Sequence, residues 1–343
     1  MRNFIYNEIE AFTICTALPT VKSTTNDAVK SVAVFEQTTA DLGFLASQNI
    51  IETKNIDLNE IGVLLLFTKT PDYRGPATAM ILQNRLKIPQ DCIVYDSPVG
   101  NGGFENAINL GASLLSSTNK KYALVVLGDT VSKQLSAEDV DQLLFQDGST
   151  AILLQKGQRC FPVAMSTITL SNKWSSFMVP SGGFRKNELF FKNLDSKRDH
   201  QLPQHLHIEY SKITAALQPA FLSIRDKVND MIQQAPASNF IILINLINPA
   251  IEKELSQFFQ AETYSKNIYI SSDYLVQTMA STIPLLIEKI SVDNEHYPLQ
   301  VISISAGEGL CINMTSITIQ KDTVLESIYS DEHYDNGFVT HEM

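Results

Sequence analysis

The run Tyr95-Asp96-Ser97-Pro98-Val99-Gly100-Asn101-Gly102-Gly103-Phe104 has the composition of a short strand, a tight glycine-rich turn and a helix start, with Asn101 at the tip. Such a turn presents one side chain at a helix N-terminus. A thiol placed there would have a lowered pKa and act as a nucleophile, and flanking glycines let a substrate approach the backbone. A carboxamide keeps the scaffold and lacks that chemistry. Asn101 also fits as an ordinary turn asparagine, so its meaning depends on what else the chain carries.

The remaining reactive side chains are sparse. Cys15, Cys92, Cys160 and Cys311 lie far apart with no Cys-x-x-Cys spacing, which argues against a zinc site or a disulfide framework and for a reducing compartment. His200, His205, His207, His296, His333 and His341 fall in polar, loop-like surroundings and read as surface residues. His205 and His207 suggest no third metal ligand by spacing. The Gly100 to Gly103 turn lacks the lysine and the spacing of a P-loop, and Asp147-Gly148 reads as a structural turn. Cys311, just beyond Gly307-Glu308-Gly309, reads as a buried thiol with no obvious base beside it. Neither a metal nor a cofactor is expected.

The elements that must position these residues alternate. Ile61 to Thr68, Cys92 to Asp96, Tyr122 to Gly128 and Thr150 to Gln155 are near-continuous apolar runs, the signature of strands covered on both faces. Helical patterns lie between them at Ala77 to Leu86 and from Phe104 through Ala107, Ile108, Gly111 and Leu115. The stretch from about Lys156 to Leu206 has little periodicity and reads as a covering segment. Beyond it the spacing predicts a long amphipathic helix over Ile208 to Ile232, a strand over Phe240 to Asn245, a helix from Pro249, a strand near Ile268 to Ile270, a helix over Thr278 to Lys289, and strands over Leu299 to Ser305 and Ile312 to Ile319. The chain is accordingly divided into an N-terminal half (1–170), a covering segment (171–207) and a C-terminal half (208–343). Both halves offer strands with helices to cover two faces, an architectural duplication.

Composition narrows the partners. With 343 residues, 44% of them hydrophobic, the chain has enough apolar residues for a sizeable core. A net charge of -11 argues against nucleic acid or an anionic membrane as the main partner, and an acidic carrier protein would need a local basic patch. Lys120, Lys121, Lys186, Lys197 and Arg198 are candidates for one. No run approaches a membrane span of roughly 20 apolar residues, and Met1 to Thr20 carries Glu8 and Glu10 and is not a signal peptide. A cytoplasmic location is expected.

Thr70-Pro71-Asp72-Tyr73 followed by Pro76-Ala77-Thr78-Ala79 resembles an element of the 3-ketoacyl-acyl-carrier-protein synthases of class III. Asp96 to Phe104 resembles the segment carrying that family's nucleophilic cysteine, with Asn101 at the cysteine. Tyr122 to Ser132 is similar to its next strand, and Phe145-Gln146-Asp147-Gly148-Ser149 to its Phe-Gly-Asp-Gly-Ala turn. In the C-terminal half, Phe240 to Asn248 with Ile251 resembles the segment carrying the family's histidine, which puts Asn245 at the histidine and Asn248 at a later asparagine. Gln277 to Pro284 resembles the segment carrying the catalytic asparagine, with Gln277 at that position. Gly307-Glu308-Gly309-Leu310 resembles the C-terminal glycine-rich loop. The resemblance runs from about Glu8 to Ile319. The arginine-bearing N-terminal stretch that grips coenzyme A in the family is shortened here to Val32 to Thr39, without arginine.

The resemblance implies an α/β, thiolase-like fold, a duplicated αβαβα arrangement of five layers with the active site where the halves meet. It implies that Cys, His and Asn are replaced by Asn101, Asn245 and Gln277, none of which can serve as thiolate or general base. Gly102, Gly103, Phe104, Gly307, Gly309 and Cys311 become candidates for the walls of the old substrate pocket. The expected function is that of a catalytically degenerate subunit, the homodimeric or heterodimeric partner of a thiolase-fold ketosynthase in fatty-acid or polyketide-type biosynthesis, with acyl carrier protein or acyl-coenzyme A as further partners. Two alternatives stand beside it. One is a divergent acyltransferase or decarboxylase using oriented amides in place of a cysteine. The other is a homodimeric binding protein for an acyl thioester.

Overall fold

A computed structural model of the chain describes residues 4–25, 28–135, 144–158, 161–180, 206–234, 239–274, 277–292 and 294–335. Strands β1 (Phe4–Tyr6), β2 (Ile9–Pro19), β3 (Lys22–Thr25) and β4 (Ala28–Ser31) precede helix α1 (Thr39–Thr53), which starts on a capping box between Thr38 and Asp41. Then come β5 (Ile61–Phe67), α2 (Thr78–Leu86), β6 (Ile93–Ser97), α3 (Gly103–Ser116), β7 (Tyr122–Asp129), β8 (Gly148–Lys156), β9 (Val163–Thr169) and β10 (Phe177–Met178). The second part contains β11 (His207–Ile208), α4 (Tyr210–Leu217), α5 (Phe221–Gln233), β12 (Phe240–Asn245), α6 (Pro249–Phe258), β13 (Ile268–Ile270), α7 (Thr282–Ser291), β14 (Leu299–Gly307), β15 (Cys311–Ile319) and β16 (Ile328–Ser330).

Two six-stranded sheets carry the fold, in the orders β16-β2-β8-β7-β5-β6 and β1-β9-β15-β14-β12-β13. Within them β2-β8-β7-β5-β6 and β9-β15-β14-β12-β13 repeat one pattern, two antiparallel pairings followed by two parallel ones. The duplication is therefore legible in strand pairing. Side-chain alternation decides the layers. On β5 and β7, Val63, Leu65, Phe67, Ala123, Val125 and Leu127 face a core shared with α3, α7 and the second sheet, while Leu64, Leu66, Leu124 and Val126 face α1 and α2. On the second sheet, Ile241, Leu243 and Val301 point to that shared core, and Ile242, Ile244 and Ile304 point outward to α4, α5 and α6. The result is the five-layered αβαβα stack expected from the sequence.

Three elements differ from expectation. The stretch from about Lys156 to Leu206, expected to lack periodic structure, contains β9, which is an antiparallel partner of β15. The long helix expected over Ile208 to Ile232 is two helices joined by a 3₁₀ turn at Gln218–Ala220, because Pro219 lacks the N–H a continuous helix needs. The helix expected from Thr278 begins as a 3₁₀ turn over Met279–Ser281 and becomes α-helical at Thr282. The sheets also do not follow a division of the chain at residue 170, since β1 and β9 lie in the second sheet and β16 in the first.

β16 opens a strap across the first sheet. It pairs parallel with β2, Gln37 Nε2 donates to the carbonyls of Ser330 and Glu332, and the Tyr334 N–H donates to Asp41 Oδ1. Arg85 donates to the same Asp41 oxygen at 2.8 Å, and its guanidinium lies 4.5 Å from the Phe44 ring centroid and 4.6 Å from that of Tyr334. Removing the guanidinium would leave a buried carboxylate without its cation. Arg85→Ala is expected to lower stability by about 3 kcal/mol in urea unfolding, and Arg85→Lys to recover little of it because lysine lacks the planar face.

Candidate functional site

The chemistry-bearing residues gather at the carboxyl ends of the parallel strands, where open α/β sheets place their ligands. Asn101 follows β6, Asn245 is the last residue of β12, Ser271 follows β13, and Ala306 and Gly307 end β14. Asp96, the acid of the turn motif, has a structural use. Its carboxylate accepts from the N–H groups of Thr78 and Ala79 and so caps α2, while burial holds its pKa above the usual carboxylate range. Gly102 takes the left-handed conformation (φ 73°) that turns the chain into α3.

Asn101, Asn245 and Gln277 are all buried, and they are joined. Asn245 Nδ2 donates to Asn101 Oδ1 at 2.9 Å, and Asn101 Nδ2 donates to the Ala306 carbonyl at 2.6 Å. Ser271 Oγ lies 3.3 Å from Asn245 Oδ1 and donates to Glu252 Oε1 at 2.8 Å. Gln277 Nε2 reaches Ser271 Oγ at 3.4 Å, and Thr282 Oγ1 reaches Gln277 Oε1 at 3.3 Å. Residues that lie 144 positions apart in the chain thus meet in one polar thread through the shared core. Asn248, also singled out in the sequence, caps α6 by accepting from Ala250 N.

Two buried carboxylates lie in this core, and one of them, Glu252, is bonded to the thread. Glu252 accepts from Leu246 N and Ser271 Oγ on one oxygen and from Ser272 N on the other, and burial raises its pKa. Glu105, on the first turn of α3, accepts from Ser303 and Ser305 through Oε1, while Oε2 has no partner; burial raises its pKa as well. Asp147 is spent on the N–H groups of Ala33 and Ser132. That use agrees with its reading as a structural turn.

No activated thiol stands near the tip among the described residues. Burial pushes the Cys311 thiol up, and Asn313 Nδ2 lies 3.4 Å from its sulfur. Burial likewise raises Cys15 and pushes Cys92 up to about 12, whereas Cys160 lies outside the described residues. His207, His296 and His333 are exposed; His200, His205 and His341 lie outside the described residues, as do Lys186, Lys197 and Arg198. Among the described residues no group of three or more His, Cys, Asp or Glu is placed to hold a metal ion, and no helix is long and apolar enough to cross a membrane.

A cavity of about 700 Å³, which none of the thread residues lines, has Lys69, Arg74 and Lys133 against one acid, Asp72, and an apolar wall that includes Phe177 and Met178. A second, of about 340 Å³, lies at the opposite end of β12 near Phe240. None of Gly102, Gly103, Phe104, Gly307, Gly309 or Cys311 lines either one. Sequence reasoning missed Ser271, Glu252 and Glu105, which carry no local signal. It also passed over the side chain of Glu308, whose placement between two glycines was the available hint.

Residues 95–169, which include the Asn101 turn, match the family model described as 3-oxoacyl-[acyl-carrier-protein (ACP)] synthase III. The chain is 33% identical over 139 residues to a β-ketoacyl-[acyl-carrier-protein] synthase III of Pectobacterium atrosepticum, a match covering 40% of this chain and 43% of that protein. The chain thus spans less than half the length of that relative. It is 26% identical over 271 residues to the β-ketoacyl-[acyl-carrier-protein] synthase III of Wolbachia sp. subsp. Brugia malayi, covering 75% of this chain and 81% of that protein. Among solved structures, a 3-oxoacyl-(acyl-carrier protein) synthase from Burkholderia xenovorans superposes with a TM-score of 0.83 at 20% identity over 96% of this chain and 99% of that one. The synthase III of Thermus thermophilus gives 0.73 at 17% identity over 92% and 99%. With its duplicated five-layer stack, its matching turn segment and these relatives, the chain is a 3-oxoacyl-acyl-carrier-protein-synthase-III-like protein of thiolase-like fold.

Proposed function

We propose that this chain is a non-catalytic ketosynthase-like subunit, the partner of an active thiolase-fold ketosynthase in fatty-acid or polyketide-type biosynthesis. The observation that carries the reading is the internal use of the tip amides. Asn101 donates its side-chain N–H to the Ala306 carbonyl and accepts from Asn245 on its side-chain oxygen, and Gln277 is engaged with Ser271 and Thr282. An oxyanion-binding set needs donors aimed at empty space where charge develops. Here each of the three amide nitrogens gives a hydrogen bond to a protein acceptor, which weighs against the alternative of an amide-based acyltransferase.

Association has a ready surface. β6 is an edge strand of its sheet, with Tyr95 59% exposed on it and Met80 exposed on the neighbouring α2, so another sheet edge can add to it by backbone pairing. The cations around the larger cavity offer a local basic surface on an acidic chain, of use toward an acidic carrier protein or the phosphates of acyl-coenzyme A.

The test is co-expression with ketosynthases that retain Cys, His and Asn, read by light scattering and condensation assays. The expected result is a stable heterodimer, no condensation by this chain alone, and none gained by Asn101→Cys alone. A stable homodimer of this chain that condenses or decarboxylates malonyl thioesters would sink the reading.

A further inference from the structure

The loop after β14 puts a carboxylate over the tip of the Asn101 turn. Gly307 packs directly on the turn: a Cβ added there would lie 2.1 Å from the Asn101 carbonyl oxygen. Gly309 has φ +71° and folds the loop back. Between them Glu308 reaches across the gap between the halves. Its Oε1 lies 3.3 Å from the Asn101 backbone N and would be 2.7 Å from a Cβ on Gly100. The side chain is only 10% exposed, and Oε2 is buried without a partner among the described residues.

Two positive features converge on this carboxylate. One is the Asn101 N–H, at the turn that opens the 14-residue helix α3, where unpaired N–H groups and the helix dipole favour an anion. The other is Lys69, whose Nζ lies 3.6 Å from Oε1 and which lines the 700 Å³ cavity. Anions at helix starts are commonly bound from outside or supplied by a neighbouring capping residue. This one comes from 207 residues away.

We infer that Glu308 is an internal occupant of an anion site: its carboxylate takes the position between the Asn101 N–H and Lys69 that a small carboxylate or a carbonyl oxygen entering past Lys69 would otherwise fill. The site is closed from within while its donors are retained. Truncating Glu308 uncovers the N–H and leaves the Lys69 ammonium beside a vacated pocket, an arrangement suited to an external carboxylate. The inference deepens the reading above and rests on its placement of Asn101 at the tip. Its test reads ligand binding, so it can fail or succeed independently of any partner.

The probe is acetate, titrated at constant ionic strength against chloride into the full chain, with binding read from the unfolding midpoint and from the Asn101 amide resonance. Glu308→Ala, and Glu308→Gly between its two flanking glycines, are expected to bind acetate at least about tenfold more tightly than the parent, the scale of one regained charge-assisted hydrogen bond. Adding Lys69→Met is expected to abolish the gain. Glu308→Gln, which keeps the shape of the side chain and removes its charge, is expected to shift the Asn101 amide resonance relative to the parent. Acetate binding by the parent as tight as by the variants, folded variants with no gain, or an Asn101 amide resonance unmoved in Glu308→Gln would each overturn the inference.

Discussion

Asp129→Asn is expected to make the protein more stable at pH 8 and to remove a large part of its stability loss between pH 4 and pH 7. Asp129 ends β7 and is fully buried. Its Oδ1 accepts from Lys69 N at 2.6 Å and Thr68 Oγ1 at 3.2 Å, while Oδ2 has no partner among the described residues. Burial, with the Glu308 charge adding to it, pushes its pKa from 3.8 up to about 7. Between those values the folded chain holds a proton that the unfolded chain has released. Stability from this group is therefore full below about pH 4 and is lost as pH rises to about 7, a difference on the order of 4 kcal/mol. Asparagine stays neutral throughout, keeps the acceptor for Lys69 and Thr68, and puts an N–H₂ group where the unpaired oxygen stood. Urea unfolding at a series of pH values should show the gap between parent and variant opening across this range. Parallel curves would show that the carboxyl is ionised in the fold at no such cost.

Gly307→Ala is expected to lower stability by about 3 to 5 kcal/mol, combining overpacking with hydrogen bonds lost around the tip. The added methyl would sit 2.1 Å from Asn101 O and 3.1 Å from Asn101 C, both backbone atoms that no rotamer change can clear. The 100–103 turn would have to move away from β14, pulling Asn101 from Ala306, Asn245 and Glu308 together. Gly75→Ala is the control. A Cβ there meets nothing within 4 Å, and its expected effect stays within about 0.5 kcal/mol. Chemical unfolding of the two variants checks the contrast, and equal effects would mean that the halves yield at the tip.

The central parallel strands were readable in the sequence because they are buried on both faces and run as unbroken apolar stretches, as in Ile61–Phe67 and Phe240–Asn245, whereas the edge strand β6 is only partly covered. The antiparallel β2 and β9 were not, because hydroxyls interrupt them. On β2 the buried Thr16 meets the buried Thr150 across the sheet at 2.9 Å, and on β9 Ser166 is buried opposite Met314. Such residues look like surface positions in a sequence, and only pairing with a partner strand makes their burial tolerable. A similar limit holds at the site. Asn101, Asn245 and Gln277 could be placed from order and spacing along a resemblance, whereas Ser271, Glu252 and Glu308 acquire meaning from neighbours brought in by the fold.

The exchange of strands between the sheets bears on synthesis. β2 needs β16 to cover its edge, and β9 needs β15, so neither sheet is complete until nearly the whole chain has left the ribosome. A nascent chain carrying only its first half exposes two unpaired edges and one face of α3 whose partners are not yet made. Contacts between such distant segments slow folding. Cutting the gene near residue 170 should yield fragments that need each other present at birth, rather than two independently folding halves.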